Sequence, residues 1–117
     1  MNVFELIEKY FAPLAGPEGL ALKDDTALYQ PKPNHDLLIT TDCFVEGVHF
    51  PVGMYGADVA ERLLRTNLSD IAAKGGTPRG YQLSLSMRAD RMEQWIPAFA
   101  KGLETTQAEF GGSLWGG

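Results

Sequence analysis

Residues 58–88 read DVAERLLRTNLSDIAAKGGTPRGYQLSLSMR, and the change of period inside this stretch decides the fold class. Ala60, Leu63, Leu64, Leu68, Ile71 and Ala72 recur at helical spacing and form one apolar stripe. Asp58 followed by Glu61 predicts a capping box at the start of that helix, and Gly75-Gly76 predicts its end. Then the period falls to two. Tyr81, Leu83, Leu85 and Met87 alternate with Gln82, Ser84, Ser86 and Arg88, the pattern of a strand with one buried face. Downstream, Asp90 and Glu93 open a second long helix carrying Ile96, Phe99, Leu103 and Phe110. Pro97 predicts either a kink or the true start of its regular part. Gly111-Gly112 end it, and Ser113-Leu114-Trp115 begin another strand.

Upstream, Leu37-Leu38-Ile39-Thr40-Thr41 reads as a strand apolar on both sides at its start, hence buried. Phe44 to Phe50 continues it until Pro51 and Gly53. Thr26 to Tyr29 predicts a short strand, and Pro31 to Asn34 a turn. Residues 3–11 predict an amphipathic helix with Val3, Phe4, Ile7 and Phe11 on one face, capped by Asn2 with Glu5. Pro13, Gly16 and Pro17 break it. Helices and strands mixed in this order predict an α/β domain, one sheet covered by helices.

The bulk numbers agree with one domain spanning residues 1–117. The chain has 117 residues, 44% of them hydrophobic and 21% charged, as in ordinary globular proteins. A net charge of −5 argues against nucleic-acid binding, because a phosphate backbone would be repelled. It leaves room for a phosphorylated ligand, since bound cations reverse the local sign. Cys43 is the single cysteine, so no disulfide forms within the chain, which fits a reducing compartment. The N-terminus is interrupted by Glu5 and Glu8, unlike a signal peptide. No apolar run reaches the roughly 20 residues needed to span a bilayer. The expectation is a cytoplasmic protein without a membrane partner.

Acidic residues carry the functional signal. Asp24-Asp25 precede a predicted strand, and alternation there turns one carboxylate toward any shared site. Asp42 closes the Leu37–Thr41 run, where layered α/β folds place ligand groups, with Thr40 and Thr41 adding oxygens beside it. Asp70 falls on the rim of the helical stripe, and Asn67 near its middle. A buried amide there must find hydrogen-bond partners or cost roughly 1–3 kcal/mol. Two carboxylates ~4 Å apart repel by about 4 kcal/mol at an effective dielectric of about 20, so a gathered set calls for cations. Magnesium suits such hard oxygen ligands. The competing reading makes these acids solvated caps and turn residues, and for Asp36, Asp58 and Asp90 that reading is adopted. His49 is either a half-buried histidine with a backbone partner or a donor to a substrate phosphate. His35, His49 and Cys43 are too few for a zinc site, and Cys43 reads as a small packing residue. No Walker-type phosphate loop is present.

Three segments, taken in order, resemble the thiamine-monophosphate kinase family of the aminoimidazole ribonucleotide synthetase-like superfamily. They are Asp24 to Leu28, Thr40-Thr41-Asp42 with Val45 to Phe50, and Asn67 to Gly75, followed by a Leu114-Trp115-Gly116-Gly117 ending similar to the start of a Gly-Gly-Asp-Thr motif. The resemblance covers nearly the whole chain. It implies a mixed β-sheet with helices on one face, the other face joining a second copy into a β-barrel homodimer. It implies transfer of the ATP γ-phosphate to thiamine monophosphate, with Asp25, Thr40, Thr41, Asp42 and Asp70 binding Mg2+, His49 contacting substrate and Gly117 touching ATP. No protein nucleophile is required, because phosphoryl transfer asks mainly for positioning and charge neutralisation.

One departure stands beside the Asp pair: Ala21-Leu22-Lys23 occupies the place of the family's Gly-Ile-Gly, bringing a cation and less backbone freedom. The resemblance also implies that a C-terminal domain with further ligands is missing from this chain, which alone would not turn over. The alternatives are another ATP-using enzyme of the superfamily (selenophosphate synthetase, hydrogenase-maturation or purine-pathway type) and an inactive dimerising fragment.

Overall fold

The computed structural model describes residues 2–23 and 26–116; Met1, Asp24, Asp25 and Gly117 lie outside them. The chain opens with α1 (Val3–Leu6), capped by the predicted box: the Asn2 side chain accepts from the Glu5 amide at 2.9 Å, and Glu5 accepts in return from the Asn2 amide. A π-turn over Ile7–Phe11 follows. The wider turn shifts which side meets the core. Leu6 and Phe11 are buried, whereas Val3 and Phe4, expected on the inner face, are exposed. Two 3-10 segments, Ala12–Leu14 and Pro17–Leu22, lead to the Asp pair.

The two long helices arise where the periodicity predicts them. α2 spans Gly56–Ala73 and α3 spans Ala89–Phe110. The α2 start corrects the expected capping box. Tyr55 occupies the cap without a side-chain bond, and Asp58 sits inside the first turn, where its charge suits the positive helix end. At the other end the glycines act as expected. Gly75 adopts φ +73°, its amide bonds to the Ala72 carbonyl at 2.9 Å, and the Gly76 amide to the Ile71 carbonyl at 3.0 Å, a Schellman closure. α3 runs through Pro97 instead of starting at it, and ends at Gly111 with φ +79°.

α2 and α3 form the dominant interface. Gly56 lies against the backbone of Trp95 and Phe99, and Gly102 against Ala57 and Ala60, so contacts advance together along both helices and the pair runs parallel. A Cβ on Gly102 would come within 2.7 Å of the Ala57 Cα, which explains the small residues at this crossing. Val59, Ala60, Leu64, Ile96, Phe99 and Leu103 fill the shared core, joined by Leu6, Phe11, Leu14, Phe50 and Leu114. Phe99 stacks on Trp95 with centroids 4.7 Å apart and meets the Phe11 ring edge-on.

The sheet is smaller than the expected mixed sheet. β1 (Tyr81–Gln82) pairs in parallel with β2 (Leu114–Gly116), with α3 as the crossover a parallel pair requires. Ala15 adds a single parallel bridge to Leu114. Beyond Leu83, whose amide reaches the Gly116 carbonyl, the 84–87 run has no ladder among the described residues. Its period of two survives all the same: Tyr81, Leu83, Leu85 and Met87 pack on the core while Gln82, Ser84, Ser86 and Arg88 are exposed.

The Leu37–Thr41 run is not a buried strand. It carries no ladder, and Ile39 is 80% exposed. A strand exists only against a partner, and the described residues supply none here. Residues 26–29 are likewise irregular, and 44–50 folds as a tight turn closed by a Glu46–Phe50 bridge. The Pro31–Asn34 turn forms, with Asn34 left-handed at φ +62°. Among the described residues no helix is long and apolar enough to cross a membrane.

Candidate functional site

The C-terminal turn of α2 brings two of the predicted motifs together. Leu38 lies over Gly76 and Ile71, so close that a Cβ on Gly76 would sit 2.8 Å from the Leu38 Cδ1. Two residues on, the Thr40 hydroxyl donates to the Asp70 carboxylate at 3.5 Å, a long contact at the outer edge of hydrogen bonding. Glycine at position 76 is therefore what lets the 38–40 segment lie against the helix end. Thr41 and Asp42 follow in the same run, and both are exposed.

Asp70 stands in an unusual electrostatic position. It occupies the last turn of α2, which contains no basic residue. The backbone carbonyls there already form the negative helix pole, so an added carboxylate is disfavoured by roughly 0.3–1 kcal/mol unless a cation answers it. Neither Asp42 nor Asp70 forms an ion pair among the described residues. Two carboxylates and two hydroxyls make an all-oxygen donor set, which suits a hard divalent cation such as magnesium. Among the described residues no three His, Cys, Asp or Glu side chains gather closely enough to hold a metal. Asp25 and Gly117, the other predicted ligands, lie outside the described residues.

Asn67, flagged as a polar group within the stripe, satisfies itself by donating to the Leu63 carbonyl at 2.9 Å. Cys43, expected to be a packing residue, is instead exposed, because the run carrying it is not covered. Lys23 is exposed, and the residue before it, Leu22, has φ +58°, a left-handed conformation costly for a branched side chain.

His49 sits in the 44–50 turn. The Val45 amide donates to its Nδ1 at 2.9 Å, and its ring stacks on Phe44 at 5.6 Å between centroids. Gly47, at φ +83°, makes the reversal that returns the chain to Phe50, whose buried ring anchors it. The Arg91 guanidinium pairs with Glu46 at 2.7 Å, and the Trp95 indole donates to the Met54 carbonyl at 3.2 Å, so α3 holds this loop from one side. Sequence reasoning missed Phe44, Glu46 and Arg91. The first carried a signal, an aromatic residue near a histidine across a glycine turn; the ion pair joins residues too distant in the chain to show one. A groove of about 450 Å³ between α1 and the start of α3, lined by Asn2, Val3, Leu6, Asp90, Met92 and Gln94, contains none of the predicted site residues.

Residues 23–117 match the family described as AIR synthase related protein, N-terminal domain. The chain belongs to that family. Within it, the chain is similar to proteins named thiamine-monophosphate kinase. That of Caulobacter vibrioides is 41% identical over 97% of this chain and 33% of its own length. That of Haemophilus influenzae is 36% identical over 100% of this chain and 36% of its own length. That of Escherichia coli strain K12 is 36% identical over 86% of this chain and 31% of its own length. The chain thus spans about a third of the length of the curated relatives it matches.

Proposed function

We propose that this chain is the N-terminal, ATP- and Mg2+-binding part of a thiamine-monophosphate kinase, which transfers the ATP γ-phosphate to thiamine monophosphate and yields thiamine diphosphate. The observation that carries the reading is the approach of Thr40 to Asp70 at a helix end that attracts cations, within a chain whose relatives bear that name.

In this reading Asp25, Thr40, Thr41, Asp42 and Asp70 hold Mg2+, and Gly117 approaches the nucleotide through its backbone. When bound, magnesium supplies the positive charge that neutralises a polyphosphate. Thr40 steadies the Asp70 carboxylate from one side. His49 offers a hydrogen bond to the acceptor substrate from the loop that α3 anchors. The acceptor phosphate itself attacks, so these residues position and the protein supplies no nucleophile. A homodimer in which the partner's sheet meets the Tyr81–Met87 strip, in a β-barrel, completes the reading, and the working compartment is the cytoplasm.

Coupled assay of the intact protein with thiamine monophosphate tests it. Asp70→Ala should lower turnover by roughly 100-fold or more, the scale of losing a key electrostatic group. In calorimetric titration, ATP binding should depend on magnesium in the wild type and lose that dependence in Asp42→Asn. Equal magnesium dependence in Asp42→Asn would remove Asp42 from the site, and phosphorylation of an unrelated acceptor instead of thiamine monophosphate would end the thiamine-monophosphate kinase assignment.

A further inference from the structure

The two histidines of this chain are held in opposite chemical forms, and the difference bears on recognition. His49 Nδ1 lies 2.9 Å from the Val45 backbone nitrogen. A backbone N–H can only donate, so this ring nitrogen accepts and carries no hydrogen. The ring's hydrogen therefore resides on Nε2. His35 is the reverse case, because its Nδ1 lies 2.9 Å from the Pro33 carbonyl oxygen, which can only accept, so that nitrogen carries hydrogen.

We infer that the Phe44–Phe50 turn fixes the tautomer of His49, with Nδ1 turned inward as acceptor and Nε2–H outward as the single donor for an oxygen of a phosphate monoester. The inference rests on the kinase reading for its ligand, but not for its tautomer. Three features build the lock. The Val45 amide occupies Nδ1, the Phe44 ring lies nearly parallel to the imidazole with an interplanar angle of 14°, and Gly47 at φ +83° sets the reversal that aligns them. The Glu46–Arg91 pair, partly shielded from solvent, ties the turn to α3. Among the described residues Nε2 has no hydrogen-bond partner, and the side chain is exposed, so this N–H is available to a ligand. Protonating Nδ1 would remove the lone pair that Val45 uses. With Nδ1 occupied in this way, His49 offers a ligand one directed donor, the Nε2–H. Phe44, Glu46 and Arg91 are positioning residues, acting through His49.

Nitrogen-15 NMR of the ring-labelled intact protein reads the tautomer directly, with His35 as an internal control. The expected spectrum shows His49 hydrogenated at Nε2 only and His35 hydrogenated at Nδ1. Arg91→Gln should convert the His49 signal to a mixture of tautomers by loosening the turn. A His49 signal with hydrogen on Nδ1 overturns the inference. Substitution separates the ligand role. The glutamine amide reaches the place of Nε2, whereas the asparagine amide reaches only that of Nδ1. H49Q should keep a KM for thiamine monophosphate near the wild-type value. H49N and H49A should raise it roughly three- to tenfold, the scale of one hydrogen bond, with kcat less affected. Binding of unphosphorylated thiamine should not distinguish the variants. If H49N retains the wild-type KM and H49Q does not, the Nε2 assignment is wrong. If the wild type binds neither ATP nor thiamine monophosphate, the kinase reading falls and takes the phosphate role with it, while the ring spectrum still decides the tautomer.

Discussion

Tyr81 connects three elements through one hydroxyl. It donates to the Gln107 side-chain oxygen at 2.8 Å, and the Gln107 amide donates on to the Leu14 carbonyl at 3.2 Å, joining β1, α3 and the 3-10 turn. Burial pushes the Tyr81 hydroxyl well above its ordinary 10.0, because the phenolate would lose its hydration. The unfolded chain releases that proton first as pH rises. Stability tied to the neutral form is therefore fully present below about pH 10 and drains as pH climbs beyond it toward the raised folded value. Tyr81→Phe should lower stability by roughly 1–3 kcal/mol at neutral pH, since it leaves the Gln107 oxygen without its donor. It should also flatten the alkaline loss. Urea melts near neutral pH and again in the alkaline range check both; an unchanged alkaline slope in the variant would assign that loss to another group. Gly80 is a second sensitive residue. A Cβ there would run into the Trp115 indole, which already stacks on Tyr29 at 4.7 Å. Gly80→Ala should cost roughly 1–3 kcal/mol through forced repacking, measured as a shift of the same melt.

At the scale of elements, α2 and α3 hold the molecule together, and their crossing depends on small residues meeting large ones. Phe99 is 1% exposed and touches rings on both sides. Phe99→Ala should cost about 3–5 kcal/mol, as expected for an emptied aromatic site, which denaturant melts would register. Gly75 matters in a different way. With φ +73° it closes the helix end that carries Asp70. Gly75→Ala should destabilise the chain by roughly 1 kcal/mol, and, on the proposed reading of the site, its larger signature should be weaker magnesium-dependent ATP binding, because the Asp70 turn and the Leu38–Gly76 contact move together. Both helices were legible beforehand because helical periodicity is a local property: residues three and four apart share a face whatever lies elsewhere. The alternation at Tyr81–Met87 was legible for the same reason. The lack of a strand at Leu37–Thr41 was not, because a strand's existence depends on what pairs with it, and an apolar run looks the same with or without a partner. Asp70 was legible as a polar residue at the rim of an apolar stripe. The cage around His49 was not, since Glu46 and Arg91 meet only after α3 has packed.

For the whole molecule, the exposed surface is uneven. Leu37, Leu38 and Ile39 are exposed on one segment, and the 84–87 strip presents backbone groups that no described residue pairs. An unpaired extended edge is a template for another strand, and the exposed 37–39 run is a second apolar surface open to a partner. Two copies meeting edge to edge would give the 84–87 strip the ladder it lacks. Sedimentation velocity should then show a dimer at micromolar concentration. Ser84→Pro should shift it toward monomer, because proline removes one ladder donor while its position lies on the exposed side of the strip. Hydrogen exchange discriminates further. Amides 84–87 should be protected in the dimer and fast in the variant, whereas amides of α3 should change little, since that helix is closed by its own bonds. A wild-type chain that stays monomeric at every concentration, with fast exchange along the whole strip, would mean that the edge stays open and that no second copy covers it.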